Sequence, residues 1–349
     1  MRAATVLDLH AFDEVIDVRS PGEYAEDHVP GAINLPVLDD AERKRVGTMY
    51  KQISSFEAKK VGAALVSRNI AQHLETYFAD KPKSYRPLVY CWRGGSRSGS
   101  LTHILQKIGF GAVQLEGGYK AFRRHVVAEL ASLPSRLSYR VVCGPTGSGK
   151  SRLLQVLASE GAQVLDLEAL AAHRGSLLGA LPDLPQPPQK SFESAIWSAL
   201  TRFDPARPVF VESESKKIGS LRVPDALITA MRASRCVRLE VPLAARVQLL
   251  NEDYAHFLHD PALINTQLAH LTALRGREMI DAWQTLAHRQ EWDRLVAALL
   301  EQHYDPAYLK SLSTNYAAAA TDLTFSPSDL SGDSLHQLAQ DILAADAGN

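Results

Sequence analysis

Apolar positions along the chain follow two different periods. Runs of strand length, rich in β-branched residues, recur at 14–19, 87–90, 139–143, 163–167, 208–215 and 236–241. A Pro-Gly turn at Pro30-Gly31 precedes another short strand near Ile33. Between these runs the spacing becomes helical. Leu101, Ile104, Leu105 and Ile108 share a face that Gly109 ends, and Leu153, Leu154 and Leu157 share another that ends near Gly161. The polar-rich stretch 37–85 and the charge-mixed stretch 243–312 are helix-like, with Trp283 and Trp292 expected in the core of the latter. His303-Tyr304-Asp305-Pro306 reads as a helix terminator because of its Asp-Pro step. A last short strand is expected at 322–325 and a final helix at 334–344, with Ser334 and Gln337 as its capping box.

Strands alternating with helices predict an α/β protein. The pattern loosens at 131–136, so two domains are expected, 1–133 and 134–349. A length of 349 residues suits two cores rather than one. The proline-rich connection 181–188 cannot be helical throughout. Thirty-eight Lys and Arg against 39 Asp and Glu leave a formal charge of −1, so a nucleic-acid surface would have to be a local patch. The basic clusters on offer are Arg123-Arg124, Arg136 with Arg140, Lys216-Lys217 with Arg222, and Arg232 with Arg235 and Arg238. Each reads first as a solvated face. Three scattered cysteines argue for a reducing compartment. With no signal-like N-terminus and no membrane-length apolar run, a cytoplasmic protein without membrane contact is expected.

Two strings carry the chemistry. Cys91-Trp92-Arg93-Gly94-Gly95-Ser96-Arg97-Ser98 lies where a strand ends and a helix begins. Glycines let such a loop turn its backbone N–H groups inward, and the helix start and two arginines favour an anion, including the Cys91 thiolate. Cys91 is therefore the candidate nucleophile. Gly144-Pro145-Thr146-Gly147-Ser148-Gly149-Lys150-Ser151 is a complete G-x-x-x-x-G-K-[ST] loop between a strand and a helix. Its N–H groups would cradle a di- or triphosphate, Lys150 would add a point charge and Ser151 a Mg²⁺ ligand. Glu212, at the end of the 208–215 strand, is a candidate acid or metal- or water-positioning group, and Glu214 a weaker one. No metal site is assigned from spacing. Asp17, Glu23 and His28 read as surface or turn-bracing groups rather than catalysts.

The N-terminal order, an acidic strand end, Glu23, then His28 before Gly-Ala-x-Asn, and then the cysteine loop, resembles the rhodanese domain, and 115–122 resembles that family's closing strand and turn. Over nearly the whole chain the combination resembles the bacterial tRNA 2-selenouridine synthases. Its marks are the Cys91 loop, Asp166-Leu167-Glu168, His173-Arg174-Gly175-Ser176, Glu212-Ser213-Glu214-Ser215 with Ile218-Gly219, and His303 to Tyr308. The resemblance implies a rhodanese-like domain followed by a P-loop NTPase-like domain with a parallel sheet and a helical portion at about 243–312. It implies action on the wobble uridine of tRNA, exchanging the sulfur of 2-thiouridine for selenium from selenophosphate through an S-geranyl intermediate made from geranyl diphosphate. Cys91 would carry the chalcogen, the loop N–H groups and arginines would take the phosphate, and Trp92 would either stack on the flipped base or serve in packing. The P-loop would hold geranyl diphosphate, with ATP its usual guest; no tightly bound cofactor is expected. C-x5-R at Cys91–Arg97 also fits a phosphatase loop fused to a kinase, and a regulatory rhodanese-like module on an NTP switch is a third reading. Oligomeric state and the tRNAs served are left open.

Overall fold

The computed structural model describes residues 4–93, 95–175, 179, 184–254, 261–316 and 322–347. Gly94, Ser176 and the 181–183 part of the proline-rich connection lie outside the described residues. The chain forms two α/β units, Met1–Ala131 with Pro187–Ser198, and Ser132–Gln186 with Ala199–Asn349. The helix Gln189–Leu200, which follows the phosphate-loop strands in sequence, thus begins in the first unit. There Trp197 packs edge-on against Phe122 at 5.6 Å, Arg123 pairs with Glu193, and Lys190 reaches Glu26 at 2.7 Å.

In the first unit β1 (Glu14–Asp17), β2 (Ile33–Asn34), β3 (Pro87–Tyr90) and β4 (Val113–Gln114) form a parallel sheet in the order β2-β1-β3-β4. β3 is central and buried on both faces, which is why Pro87-Leu88-Val89-Tyr90 has no polar alternation. Its core joins Ile16, Val18 and Val89 to Val66, Ile70, Leu101 and Leu105 on the flanking helices. The helix Ser96–Ile108 stops at Gly109, whose φ of 114° closes the turn as expected.

The second unit holds β5 (Tyr139–Cys143), β6 (Gln163–Leu165), β7 (Val209–Glu212), β10 (Arg235–Leu239) and β11 (Leu323–Phe325) in the parallel order β11-β10-β5-β7-β6. A two-stranded antiparallel ribbon of β8 (Lys217–Ile218) and β9 (Leu221–Arg222) follows β7. Since β5 lies between β7 and β10, the chain leaves it toward one side and later crosses to the other. Ligand crevices of doubly wound sheets open at the carboxyl end of such a strand. Leu153, Leu154 and Leu157 pack with Phe210, Leu239 and Leu338 over the sheet. A separate helical core surrounds Trp283, which is buried; Trp292 is partly buried against it.

Two local expectations fail. Asp305-Pro306 does not terminate a helix: Leu300–Tyr304 widens into a π-turn and Asp305–Asn315 continues helically. A proline inside a helix lacks its N–H and crowds the carbonyl four residues back, here that of Gln302, and the widened turn relieves both conflicts. The final helix runs Gly332–Ala347, and the capping hydroxyl is that of Ser331, which accepts from the Ser334 N–H at 3.4 Å. Ser334 is therefore the capped residue rather than the cap.

Beside β1, the Arg19 guanidinium is 1% exposed and bonds both oxygens of the equally buried Asp17, at 2.6–3.0 Å, and the Asp27 carbonyl at 2.6 Å. Arg19→Met would strand a buried carboxylate and should cost about 3–5 kcal/mol. Arg43→Met, which removes a half-exposed partner of Glu23, should cost less than about 1 kcal/mol. Urea unfolding of the two variants checks the difference; equal losses would deny the buried pair its structural role.

Candidate active site

Cys91 follows β3 directly and is buried, with its sulfur accepting from the Ser98 hydroxyl at 3.2 Å. Burial works against a thiolate. The Ser98 hydroxyl and the N–H groups of Gly95, Ser98 and Arg93 outweigh it and hold the Cys91 thiol below its ordinary value. The loop is clamped from the far side, because the first turn of the helix Gly118–Ser132 donates Tyr119 N–H to the Cys91 carbonyl at 2.8 Å and Lys120 N–H to that of Trp92 at 3.0 Å.

Around this cradle the predicted residues divide. Arg97 does not face an incoming anion as expected. It spends its guanidinium on Glu23, 74 positions upstream, at 2.8 and 3.3 Å. Although burial disfavours the charge, Arg97, the Ser20 N–H and Arg43 draw the Glu23 carboxyl down to about 2. Arg93 is exposed and has no ion pair among the described residues, so it is the loop cation left for a ligand. Gly95 caps the helix Ser96–Ile108. Trp92 is 40% exposed and stacks on Tyr119 at 5.3 Å, while Arg19 covers the Tyr119 ring at 4.0 Å. Trp92, Arg93, Lys120, Arg124, Val127 and Lys190 line a trough of about 660 Å³. Asp17 is no surface group, since it is fully buried as the partner of Arg19. Glu23 braces Arg97, and His28 stacks on Tyr24 at 3.8 Å.

In the second unit the loop Gly144–Ser151 joins β5 to the helix Lys150–Ser159. Gly147 has φ 80°, and a Cβ there would stand 2.9 Å from Leu250 and 3.1 Å from the Arg246 carbonyl. Lys150 reaches back to the carbonyls of Gly144 and Pro145, at 2.7 and 3.3 Å. Ser148 is buried. Arg246 donates to the Thr146 carbonyl at 2.9 Å and grips Asp305 with both Nη atoms, so the helical portion holds the loop from outside. Ser151 donates to Glu168 at 2.6 Å, and the Glu168 N–H donates to Glu212 at 2.9 Å.

Glu212 is wholly buried beneath Glu168 and does not line the cavity. Burial and the neighbouring Glu168, Glu214 and Asp166 carboxylates push it well above its ordinary value. Glu168 and Glu214 line the cavity, and burial with the Glu168 charge raises Glu214 to about 7. The cavity, of about 820 Å³, pairs the polar floor of Gly147 to Ser151 with walls that include Leu184, Leu250, Tyr254, Tyr304 and Tyr308.

A sequence profile described as "Rhodanese-like domain" matches residues 3–125, and one described as "tRNA 2-selenouridine synthase AAA domain" matches 137–275. The tRNA 2-selenouridine synthase of Chromohalobacter salexigens is 33% identical over 320 residues, which cover 84% of this chain and 86% of that one. The chain belongs to the tRNA 2-selenouridine synthase family. Family members from Nitrosomonas europaea and Hydrogenovibrio crunogenus are each 38% identical, over 244 and 248 residues. Those matches cover 69% of this chain, and 63% and 67% of the relatives. The match to the Nitrosomonas synthase therefore spans less than two thirds of its length.

Motif reading missed three groups in this synthase-family chain. Glu168 touches Ser151 and was seen only as part of a string. Asp305 reaches the phosphate loop through Arg246, across 59 positions. Gln114 donates to Ser98 at 2.7 Å, with no local signal beyond a polar residue at a strand end.

Because the Glu23 carboxyl is lowered in the folded chain, its contribution to stability is full above about 4.5, the ordinary carboxyl value, and fades as pH falls toward about 2. Unfolding curves of wild type and Glu23→Gln should therefore differ at pH 6 and converge near pH 2.5. A gap that stays constant across that window would mean that the Arg97 pair does not set the Glu23 proton affinity.

Proposed function

We propose that the chain converts the wobble 2-thiouridine of tRNA to 2-selenouridine, using selenophosphate and geranyl diphosphate. The observation that carries this reading is a cysteine held toward its thiolate inside a ring of N–H donors, on a chain that also owns a phosphate loop with an apolar wall. A thiocarbonyl sulfur leaves poorly, whereas an S-geranyl group leaves as a thiol. Geranylation would thus prepare the base for exchange. In this reading the diphosphate of geranyl diphosphate rests on the N–H groups of Gly147, Gly149 and Lys150, with the Lys150 ammonium on its outer oxygens. Leu184, Leu250, Tyr254 and Tyr308 would receive the hydrocarbon chain. Diphosphate departs from carbon 1 as the tRNA sulfur attacks it, and the same donors take up its growing charge.

Selenium of selenophosphate would add to carbon 2 as geranylthiol leaves. The Cys91 thiolate would then attack phosphorus and break the P–Se bond, and water would release the phosphoryl group from Cys91 as phosphate, with Arg93 and the loop N–H groups holding its oxygens. The exposed face of Trp92 would support the unpaired base, and Lys120 and Arg124 the RNA backbone. The donors beside the phosphate loop fit Mg²⁺: Ser151 and Glu168 are hard oxygen ligands 2.6 Å apart. No cluster of three His, Cys, Asp or Glu suited to a metal occurs among the described residues, so phosphate oxygens and water would complete the shell. Bound there, the ion would neutralise diphosphate charge. Among the described residues no helix is long and apolar enough to cross a membrane, and action on tRNA would place the chain in the cytoplasm.

Cys91→Ser should abolish selenium incorporation into thiolated tRNA and leave S-geranylation intact, as read by nucleoside mass spectrometry. Full selenation by the Ser variant would end the nucleophilic role of Cys91. Lys150→Ala should collapse geranylation in an assay without ATP, and tRNA already S-geranylated should restore selenation. Normal geranylation by that variant, or a wild-type requirement for ATP hydrolysis, would assign the loop to a nucleotide instead.

A further inference from the structure

Gln114 sits on the edge strand β4, outside every motif, yet its side chain lies against the nucleophile loop. Its Nε2 is 3.3 Å from the Gly95 carbonyl and 2.7 Å from the Ser98 hydroxyl oxygen. A carbonyl only accepts, so the nitrogen of the carboxamide must be the atom on that side. Ser98 then receives a hydrogen from Gln114 and keeps its own to give. It has two acceptors in reach, the Gly95 carbonyl at 3.5 Å, whose two lone pairs already receive Gln114 and the Gly99 N–H at 3.1 Å, and the Cys91 sulfur at 3.2 Å.

We propose that Gln114 is a positioning residue for Cys91: it fixes the Ser98 hydroxyl so that its hydrogen points at the sulfur and favours the thiolate. The relay is Gln114 N–H to Ser98 Oγ, then Ser98 O–H to Cys91 Sγ. Hydrogen bonds to a charged acceptor are worth more than neutral ones, so the sulfur gains from the relay as thiolate and little as thiol. Ionic neighbours do not supply the same bias. Arg97 on the adjoining helix is taken by Glu23, Asp17 and Arg19 at the end of β1 neutralise each other, and Asp27 accepts from the Tyr119 hydroxyl at 2.8 Å. Lys120 contributes its N–H to the Trp92 carbonyl, which leaves Arg93 as the cation of the loop itself. The proposal deepens the reading of Cys91 as nucleophile, and its test uses no tRNA, so the two can fail separately.

The test is the pH dependence of Cys91 alkylation by iodoacetamide, followed on the Cys91 peptide by mass spectrometry so that Cys143 and Cys236 do not interfere. Ser98→Ala should raise the midpoint by about one pH unit, an approximately tenfold loss of thiolate below it. Gln114→Met should move it the same way by a smaller amount. In Gln114→Glu the carboxylate can only accept, and it should turn the Ser98 hydrogen from the sulfur and raise the midpoint further than Met does. Adding Gln114→Met to Ser98→Ala should then change little, because the relay is already broken. Thermal melting by circular dichroism confirms that each variant is folded. Two results would overturn the proposal: a midpoint unchanged in both Gln114 variants, or a Gln114→Met shift equally large with and without Ser98. Loss of tRNA activity with the relay intact would instead count against the proposed function alone.

Discussion

A parallel sheet sends all its strands out at one edge, and the helices that follow begin there. Each helix start leaves backbone N–H groups without intrahelical partners, so this edge attracts negative charge wherever a loop is tight enough to gather them. The chain meets this constraint twice. After β3 the gathered donors face a sulfur supplied by the protein itself. After β5 they border a cavity lined by carboxylates and tyrosines. In the proposed function the same backbone physics serves a nucleophile at one site and a bound diphosphate at the other, and the difference lies in whether the chain's own sulfur, that of Cys91, stands among the donors.

The first site stands on a layered support. Arg19 is buried and needs a full set of acceptors, which Asp17 and the Asp27 carbonyl provide. Its flat face then carries Tyr119, and Tyr119 carries Trp92. Such stacking leaves Trp92 with one free face and little freedom to turn it. Asn34 adds to this frame by donating to the carbonyls of Asp17 and Arg19, both at 3.0 Å. Asp17, which reads as a surface or turn-bracing group in sequence, thus helps to set the attitude of the aromatic ring beside Cys91.

Legibility in the sequence followed the range of the interactions. The Cys91 and Gly144–Ser151 loops, the strands that feed them and the helices that leave them are contiguous, and their glycine and apolar spacing reports local backbone demands. What escaped was pairing at a distance. Arg97 looked available because Glu23 lies 74 residues away. Glu212 looked like the exposed acid because it ends a strand, but burial on both faces of β7 takes it below Glu168. Asp305-Pro306 looked like a stop because the rule for proline assumes a regular turn, and the π-turn removes that assumption.

Asp305 has a consequence for how the second unit can be divided. The profile of the phosphate-loop domain ends at residue 275, and a protein engineer trimming the chain there would keep every residue of the Gly144–Ser151 motif. Such a fragment would also keep Arg246 and lose the carboxylate that holds it. A guanidinium 5% exposed would be left without its anion beside the Thr146 carbonyl. The helical portion is thus part of the frame of the phosphate loop, and the smallest autonomous form of this domain extends past the end of its recognisable motif.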